Sequence, residues 1–452
     1  MPPDYAQRLA TVRGQLAAVP ADVPVRLRKK TSNLFRPRAA APGTLDAALF
    51  DGVFSIDVAA RTADVGGMTS YEDLVAATLP HGLMPLVVPQ LKTITLGGAV
   101  TGLGIESSSF RSGCPHESVL EMDILTGDGE VVTAAPANPH RDLFFGFPNS
   151  YGTLGYALRL RIELEPVLPF VHLRHLRFDD LDAAMALMRQ LVEERDYNGE
   201  PVDFLDGTWF SATEAYLTLA TFSATAPDVS DYTGRQIYYR SIQRRREDWL
   251  TIHDYLWRWD IDWFWCSRAF GAQNPRVRRL WPRRWRRSDV YWKLIALNRR
   301  TRFAERLDAL RGRPAREEIV QDVEVPLDRV PEFVDFLDER TGIEPVWLCP
   351  LRQRNPAAVW DLYVLDPATT YVNVGFWSSV ALPPGAGDGY HNRAIEEKVA
   401  ELGGRKSLYS TVFYPREEFW ATYGGVAYER LKKTYDPHDR LLDLYDKTVA
   451  RK

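Results

Sequence analysis

Apolar and polar positions along this chain follow two periods, and the places where one gives way to the other divide it into blocks. From about Phe50 to Pro166, short apolar runs are broken by Gly, Pro and Asp, the mark of strands separated by turns. In ALRLRIELEPV the period is two, which predicts Leu158, Leu160, Ile162 and Leu164 on one strand face. MDILTGDGEVVTA reads as a hairpin closing around Gly127, Asp128 and Gly129. YEDLVAATLPHG breaks the rhythm. It predicts a helix starting near Ser70, with Leu74 and Leu79 inward and Gly82 as its stop. The opening MPPDYAQRLATVRGQLAAVP predicts a short amphipathic helix. Asp4, Arg8 and Arg13 interrupt it, so it reads as neither a secretory signal nor a spanning helix.

After Pro166–Pro169 the character changes. Asp180 to Glu194 is helical, and strands are predicted at FLDGTWF, EAYLTLATF, EIVQDVEVPL, PVWLCPLR, WDLYVL and YVNVGFW. A helix over Val330–Thr341 separates the third of these from the fourth, and helices close the chain through REEFWATYGGVAYERLKKTYDP. The alternation predicts an α+β lobe on an antiparallel sheet. At 452 residues the chain exceeds one compact core, so two or three lobes are expected. A net charge of −4 argues against a general nucleic-acid binder. Cys114, Cys266 and Cys349 lie far apart, which excludes a cysteine-rich zinc module and predicts reduced thiols. No run of about 18 uncharged apolar residues occurs, so nothing is expected to span a membrane.

The densest chemical signal is VVPQLKTITLGGAVTGLGIESSSFRSG, Val87 to Gly113. Gly97, Gly98, Gly102 and Gly104 allow close backbone approach and positive φ. Converging N–H groups, with the hydroxyls of Ser107, Ser108 and Ser109, suit an anion such as a pyrophosphate. The loop is neither a Walker loop nor a Rossmann fingerprint, since Gly-Lys-Ser/Thr and GxGxxG are both missing.

These residues resemble the FAD-binding PCMH-type domain of the vanillyl-alcohol-oxidase superfamily, in which such a loop wraps the FAD pyrophosphate. LEMDILTGDGEVV and HRDLFFGFPNSYGTLGYALRLRIEL continue the match. The resemblance implies a two-lobed FAD domain over residues 1–168, an α+β cap domain with an antiparallel sheet over 169–400, and a segment 401–452 returning to the FAD domain. It implies cofactor contacts from Thr95, Leu96, Gly97, Gly98, Gly102, Gly104, Ile105, Glu106, Ser107, Ser108, Ser109 and Gly113. It adds Gly152, Gly155 and Ile162 from the later stretch, and His116 just after the serines. LRKKTSNLFRP sits where the family places its first pyrophosphate loop, making Lys30, Thr31, Ser32 and Asn33 candidates. Many members bond FAD through a histidine in that first loop. Here Thr31 and Ser32 stand there, so noncovalent FAD is expected.

Alcohol oxidases of the superfamily often end in a GGRPHWGK-like segment. The corresponding Gly403-Gly404-Arg405-Lys406-Ser407-Leu408-Tyr409 has Ser407 in place of the histidine, which disfavours alcohol oxidation. The whole chain is more similar to the Δ24-sterol reductase (seladin) branch, through the Gly-Ile-Glu-Ser-Ser-Ser run, IVQDVEVPL, EPVWLCPLR and YPREEFWATYGGVAYERLKKTYD. That resemblance implies NADPH-driven reduction of an isolated C=C bond in a lipid. Basic residues are mostly Arg, which suggests a GC-rich bacterial source. The first-ranked substrate is therefore a 10-methylene fatty acyl chain, reduced to 10-methyl as in tuberculostearic acid synthesis. A sterol or other isoprenoid alkene ranks second, and a small-alcohol oxidase or dehydrogenase is the rival class. An unconjugated alkene must be protonated before hydride can add, so an acid is required in an apolar pocket. Asp322 and Glu324, on one face of QDVEVP with Gln321 and Val323 on the other, are the first candidates, followed by Tyr409 and Tyr414. Trp209, Phe210, Trp347, Tyr371 and Trp377 are expected to line the pocket.

Residues 240–300 hold 15 Arg and one Lys against six acids, a local excess of +10 in a chain of net charge −4. Eight of the 13 tryptophans fall there: Trp249, Trp257, Trp259, Trp263, Trp265, Trp281, Trp285 and Trp292. Basic charge interleaved with indoles suits contact with an anionic membrane surface. Nucleic-acid binding is the competing reading, though no known nucleic-acid motif accompanies the patch, and an oligomer interface or a solvated helical face is the plain alternative. A cytoplasmic enzyme, peripheral on the inner membrane face and drawing an acyl substrate from it, is expected.

Overall fold

In this computed structural model the structure describes residues 2–29, 35–36, 43–233, 236–301, 306 and 310–450. The first helix, Tyr5–Ala18, packs Val12 and Leu16 inward, and β1 (Val25–Arg28) pairs in parallel with β2 (Gly43–Asp46). The strands β3 (Val53–Asp57), β4 (Thr62–Gly66), β5 (Leu83–Pro85), β6 (Val119–Leu125), β7 (Val131–Ala134) and β8 (Tyr156–Pro166) form a six-stranded sheet. Its order is β3-β4-β8-β6-β7, with β5 also on β8. The predicted helix runs from Tyr71 to Thr78. Ser70 caps it by accepting from the Asp73 N–H, and Gly82, at φ 69°, follows. The hairpin β6–β7 closes over Thr126–Glu130 as expected.

The single face expected for β8 is interrupted. Asp123 pairs with Arg159 but Ile124 pairs with Ala157, so the register slips at Leu158. A bulge of this kind turns one residue to the other side. Leu160, Ile162 and Leu164 join the main core with Ala157, whereas Leu158 packs with Val12, Leu16 and Phe50 under the first helix.

The second sheet is antiparallel throughout. It comprises β9 (Phe170–Phe178), β12 (Phe204–Ser211), β13 (Glu214–Ser223), β14 (Glu247–Thr251), β15 (Arg316–Pro326), β16 (Val346–Leu351), β17 (Tyr371–Ala381) and β18 (Arg405–Lys406); the short hairpin β10–β11 (Asp196–Tyr197, Glu200–Pro201) stands apart. Its order is β14-β9-β13-β12-β16-β17-β15-β18. Helices Leu181–Glu194, Val330–Thr341 and Tyr390–Glu401 cover one face through Met188, Leu191, Phe333, Leu337 and Ile395. The other face meets the 240–300 block and the first lobe through Phe204, Trp347 and Cys349. WDLYVL is not a strand: the chain turns there, although Trp360, Leu362 and Tyr363 are buried. Among the described residues no helix is long and apolar enough to cross a membrane.

The Arg and Trp block is divided between interior and surface. Trp257, Trp259, Trp263 and Trp265 are buried, and Trp292 stacks on Phe35. Arg258 is completely buried between Glu106 and Asp206, at 2.9 Å from each, with its guanidinium over the Tyr255 ring. Arg278 is buried on Asp262 at 2.6 Å. Arg286 is buried on the Trp281 carbonyl, while Arg244, Arg245, Arg246, Arg276, Arg279 and Arg284 stay exposed.

Candidate active site

The two sheets and the block enclose a cavity of about 400 Å³. One wall is the glycine loop. Thr95 caps the helix Leu96–Gly102, its Oγ1 accepting from the Gly98 N–H at 3.2 Å. Gly97 is needed for packing, since a Cβ there would lie 2.7 Å from the Gly67 carbonyl oxygen. Past the helix the backbone turns back at Leu103, with φ 56°. Tyr151, at φ 50°, meets it from the facing loop: its N–H donates to the Thr101 carbonyl and its hydroxyl to that of Gly102. Two non-glycine residues in the left-handed region on one cavity wall are a strain that marks functional sites.

The opposite wall is built by strand register. Asp322 on β15, Gly375 on β17 and Trp347 on β16 form one row across three strands, and Glu324, Asn373 and Cys349 form the next. Residues of the same pleat face point the same way, so this face of the sheet delivers Asp322, Trp347, Asn373 and Trp377 to the cavity. Gly375 makes room: a Cβ there would lie 2.6 Å from Asp322 Oδ1. β18 then carries the chain past Asp322, whose carbonyl accepts from the Ser407 N–H, and brings Ser407 and Tyr409 to the lining.

These groups form a buried acid cluster. Asn373 Nδ2 donates to Asp322 Oδ1 at 3.2 Å, and Trp377 Nε1 donates to the Tyr409 hydroxyl at 3.0 Å. Burial and the nearby Asp322 charge raise the Tyr409 phenol well above its ordinary value. The Asp322 carboxyl is pushed by burial up to about 6, with the Asn373 hydrogen bond opposing. Glu324 lies deeper, accepting from Tyr363 and from Ser407 Oγ. Burial raises its carboxyl to about 8, against the Tyr363 hydrogen bond and with help from the Asp322 charge. At neutral pH the pair therefore holds at least one proton, shared between coupled sites.

The lining suits FAD in its charges and in its unsatisfied atoms. Arg26, Lys29, Arg36 and Lys447 line the cavity against one acid, Asp322, a balance that favours a pyrophosphate. Lys29 Nζ lies 3.4 Å from Thr95 Oγ1, beside the glycine loop. Gln90 Nε2 and Asn373 Oδ1 are buried on the lining without a partner among the described residues. One donor and one acceptor left open match the mixed polar edge of a flavin ring.

The cavity gathers Thr95, Gly97, Gly98, Gly102, Gly104, Ile105, Gly152, Gly155, Asp322, Tyr409, Trp347 and Trp377 from the residues expected at a site. Others lie elsewhere. Leu96 and Ile162 are core residues, Ile162 held in the sheet between β4 and β6. Beyond Ile105 the loop leaves the cavity, and its polar groups are used inside the protein. Glu106 pairs with Arg258, Ser107 Oγ bonds the Tyr255 hydroxyl at 2.9 Å, Ser108 donates to the Leu86 carbonyl at 2.7 Å, and Ser109 Oγ accepts from the Glu106 N–H. Gly113 ends the helix Ser109–Ser112 at φ 69°. His116 is buried edge-on to Trp360, where burial lowers its imidazole to about 3. Tyr414 packs against Tyr423 under Arg393. The alternation of β12 turns Trp209 to the helix layer with Leu205, and Phe210 packs on Tyr216 at the strand's far end. The Tyr371 hydroxyl accepts from the Asp366 N–H. Lys30, Thr31, Ser32 and Asn33 lie outside the described residues.

Sequence reasoning missed Gln90, Tyr151, Trp263, Phe264, Asn373 and Lys447, all on the lining. For Asn373 a signal existed, since it shares the period-two face of Trp377. For Tyr151 it did not, because its role rests on a positive φ that no local motif announces.

A model of FAD-binding domains matches residues 12–135. Over most of its length the chain is similar to Delta(24)-sterol reductases. It is 26% identical over 426 residues to the Delta(24)-sterol reductase homolog of Caenorhabditis elegans, covering 88% of this chain and 77% of that protein. It is 24% identical over 400 residues to the Homo sapiens enzyme, covering 85% and 72%, and 23% identical over 446 residues to that of Arabidopsis thaliana, covering 89% and 76%. The fold and site define an FAD-dependent oxidoreductase with a PCMH-type FAD-binding domain. Within that class the relatives it resembles over most of its length are Delta(24)-sterol reductases, at 23–26% identity.

Proposed function

We propose that this protein reduces an isolated carbon–carbon double bond in a lipid, with NADPH as electron donor and noncovalent FAD as carrier. The observation that carries the reading is the buried acid cluster of Asp322, Glu324 and Tyr409, from which Asp322 and Tyr409 reach a cavity walled by Trp263, Phe264, Trp347 and Trp377. Bound FAD, once reduced by NADPH, would supply hydride to the substrate. The chain's own residues do the rest. Thr95 to Ile105 and the cations Lys29 and Lys447 would hold the cofactor, and Gln90 and Asn373 would orient its polar edge. The aromatic wall excludes water and favours a cationic carbon over its ring faces. Asp322, held by Asn373, delivers the proton to the alkene carbon, and Glu324 behind it replenishes that proton through the coupled pair.

No histidine lies among the described lining residues, which favours noncovalent FAD. Where an alcohol oxidase would need a base, Ser407 Oγ donates to Glu324, an acid already protonated at neutral pH. Our preferred substrate is a 10-methylene fatty acyl chain becoming 10-methyl, because protonation there gives a tertiary cation; a Δ24-sterol or other isoprenoid alkene meets the same requirement. Anaerobic stopped flow tests the reading. NADPH should bleach the flavin, and a 10-methylene lipid should restore its colour. Bleaching by a small alcohol with rapid oxygen turnover would replace it with an oxidase, and recovery only with a sterol alkene would change the substrate.

A further inference from the structure

One part of the 240–300 block does not join the core. Between Asp262 and Asp289 the chain has no acidic residue. Its helix Pro275–Leu280 and the turn Arg283–Trp285 are fixed from within. Arg278 is buried on Asp262, and Arg286 is buried with a hydrogen bond to the Trp281 carbonyl at 2.7 Å. Trp281 Nε1 ties the ends together by donating to the Trp285 carbonyl at 3.1 Å. With the inward arginines anchoring it, the segment presents a different set outward. Leu280 is 84% exposed and Trp285 50%, and Val277 lies beside them. Arg276, Arg279 and Arg284 flank these residues along the chain, exposed and without an ion pair among the described residues, whereas Arg283 pairs with Asp231 at 2.6 Å.

Large apolar side chains projecting from a basic surface are costly in water and need a partner. An indole and a leucine flanked by arginines match the boundary of an anionic bilayer, where the apolar groups enter and the guanidiniums meet phosphates. A protein partner would need dense acidic residues around an apolar pocket, a more specialised complement than a lipid surface. The segment also lies behind the cavity wall. Trp281 and Phe270 pack on Tyr291, one residue from Trp292, and Phe35 is stacked between Trp292 and the cavity-lining Trp263.

We propose that the surface of Val277, Leu280, Trp285 and the flanking arginines docks the protein on an anionic lipid bilayer. The docking stands independently of the reaction proposed above, because it is read without turnover. The FAD-loaded protein is co-sedimented with phosphatidylcholine vesicles with and without phosphatidylglycerol, at low and high salt. Binding should require phosphatidylglycerol and weaken with salt. The pair Arg279→Glu and Arg284→Glu, and separately the pair Leu280→Asn and Trp285→Asn, should each weaken binding by roughly tenfold or more, with flavin content and absorbance unchanged. Equal binding to neutral vesicles, or variants that bind as well as the parent, would overturn the proposal. So would self-association in sedimentation velocity that Leu280→Asn abolishes in a protein that ignores vesicles, since the face would then join two copies of the chain.

Discussion

Gly375 and Asp322 face each other across β17 and β15, and the missing side chain of the glycine is the space into which the carboxyl turns. Around that vacancy the sheet brings an acid, an amide and two indoles to one cavity, so the register of three strands sets the chemistry. The glycine loop sets the opposite wall.

If Asp322 is the proton donor, Asp322→Asn should keep FAD but lose roughly 100-fold or more in the rate of alkene-dependent flavin reoxidation. Reduction by NADPH should be little affected, so separate half-reaction measurements place the loss. In the parent the reoxidation rate should fall as pH rises above about 6, where Asp322 gives up its proton, and this limb should be missing from the variant.

Glu324 gives a stability prediction of definite sign. Its folded carboxyl titrates at about 8 against an ordinary 4.5. Between those values the unfolded chain has lost the proton and the folded one has kept it, so ionisation favours unfolding as pH rises. Asp322 acts in the same direction between its ordinary 3.8 and about 6. Thermal melts should show Glu324→Gln gaining on the parent steadily from pH 5 to pH 8. A constant difference across that range would mean that the carboxyl is ionised in the folded protein throughout.

Arg258 joins the glycine loop to the cap sheet through Glu106 and Asp206. Removing it leaves two buried carboxylates with no cation, a change that typically costs about 3–5 kcal/mol. Arg258→Ala should lower the midpoint of chemical denaturation accordingly. Arg258→Ala combined with Glu106→Gln and Asp206→Asn should recover much of the loss. The Asp206 carboxylate also accepts from Trp347 Nε1 at 3.3 Å, so the single variant should disturb the cavity wall as well.

The fold was legible where one local rule decides the outcome, and the site where strand period does. Val330–Thr341 was readable to the residue from its apolar period, and the facing of Asp322 and Glu324 followed from alternation along one strand. The three serines misled because what they bond lies far away in sequence: Ser107 finds Tyr255, and Ser108 finds the Leu86 carbonyl. Composition alone could not divide the Arg and Trp block between interior and surface, for a related reason. Buried ion pairs and membrane contacts use the same residues, and only the positions of Glu106, Asp206 and Asp262 tell them apart. Leu158 was misplaced by a bulge, which leaves no mark in an unbroken alternation.

The vacancy at Gly375 can be tested by filling it. In Gly375→Ala the new methyl would lie 2.6 Å from Asp322 Oδ1 and 2.8 Å from the Trp377 ring, so one of them must move. Trp377 is tied to Tyr409, and the barrier to its displacement is the packing of Phe264 and Trp265 around it. Asp322 is the freer of the two, its side chain being held by the hydrogen bond from Asn373. Overpacking of this size costs about 1–3 kcal/mol in stability, which leaves the protein folded. The expected result is normal FAD content and a near-parental KM, with kcat lowered by about tenfold as the donor leaves its position. Loss confined to KM would instead mean that the methyl obstructs the lipid and that the proton comes from another group.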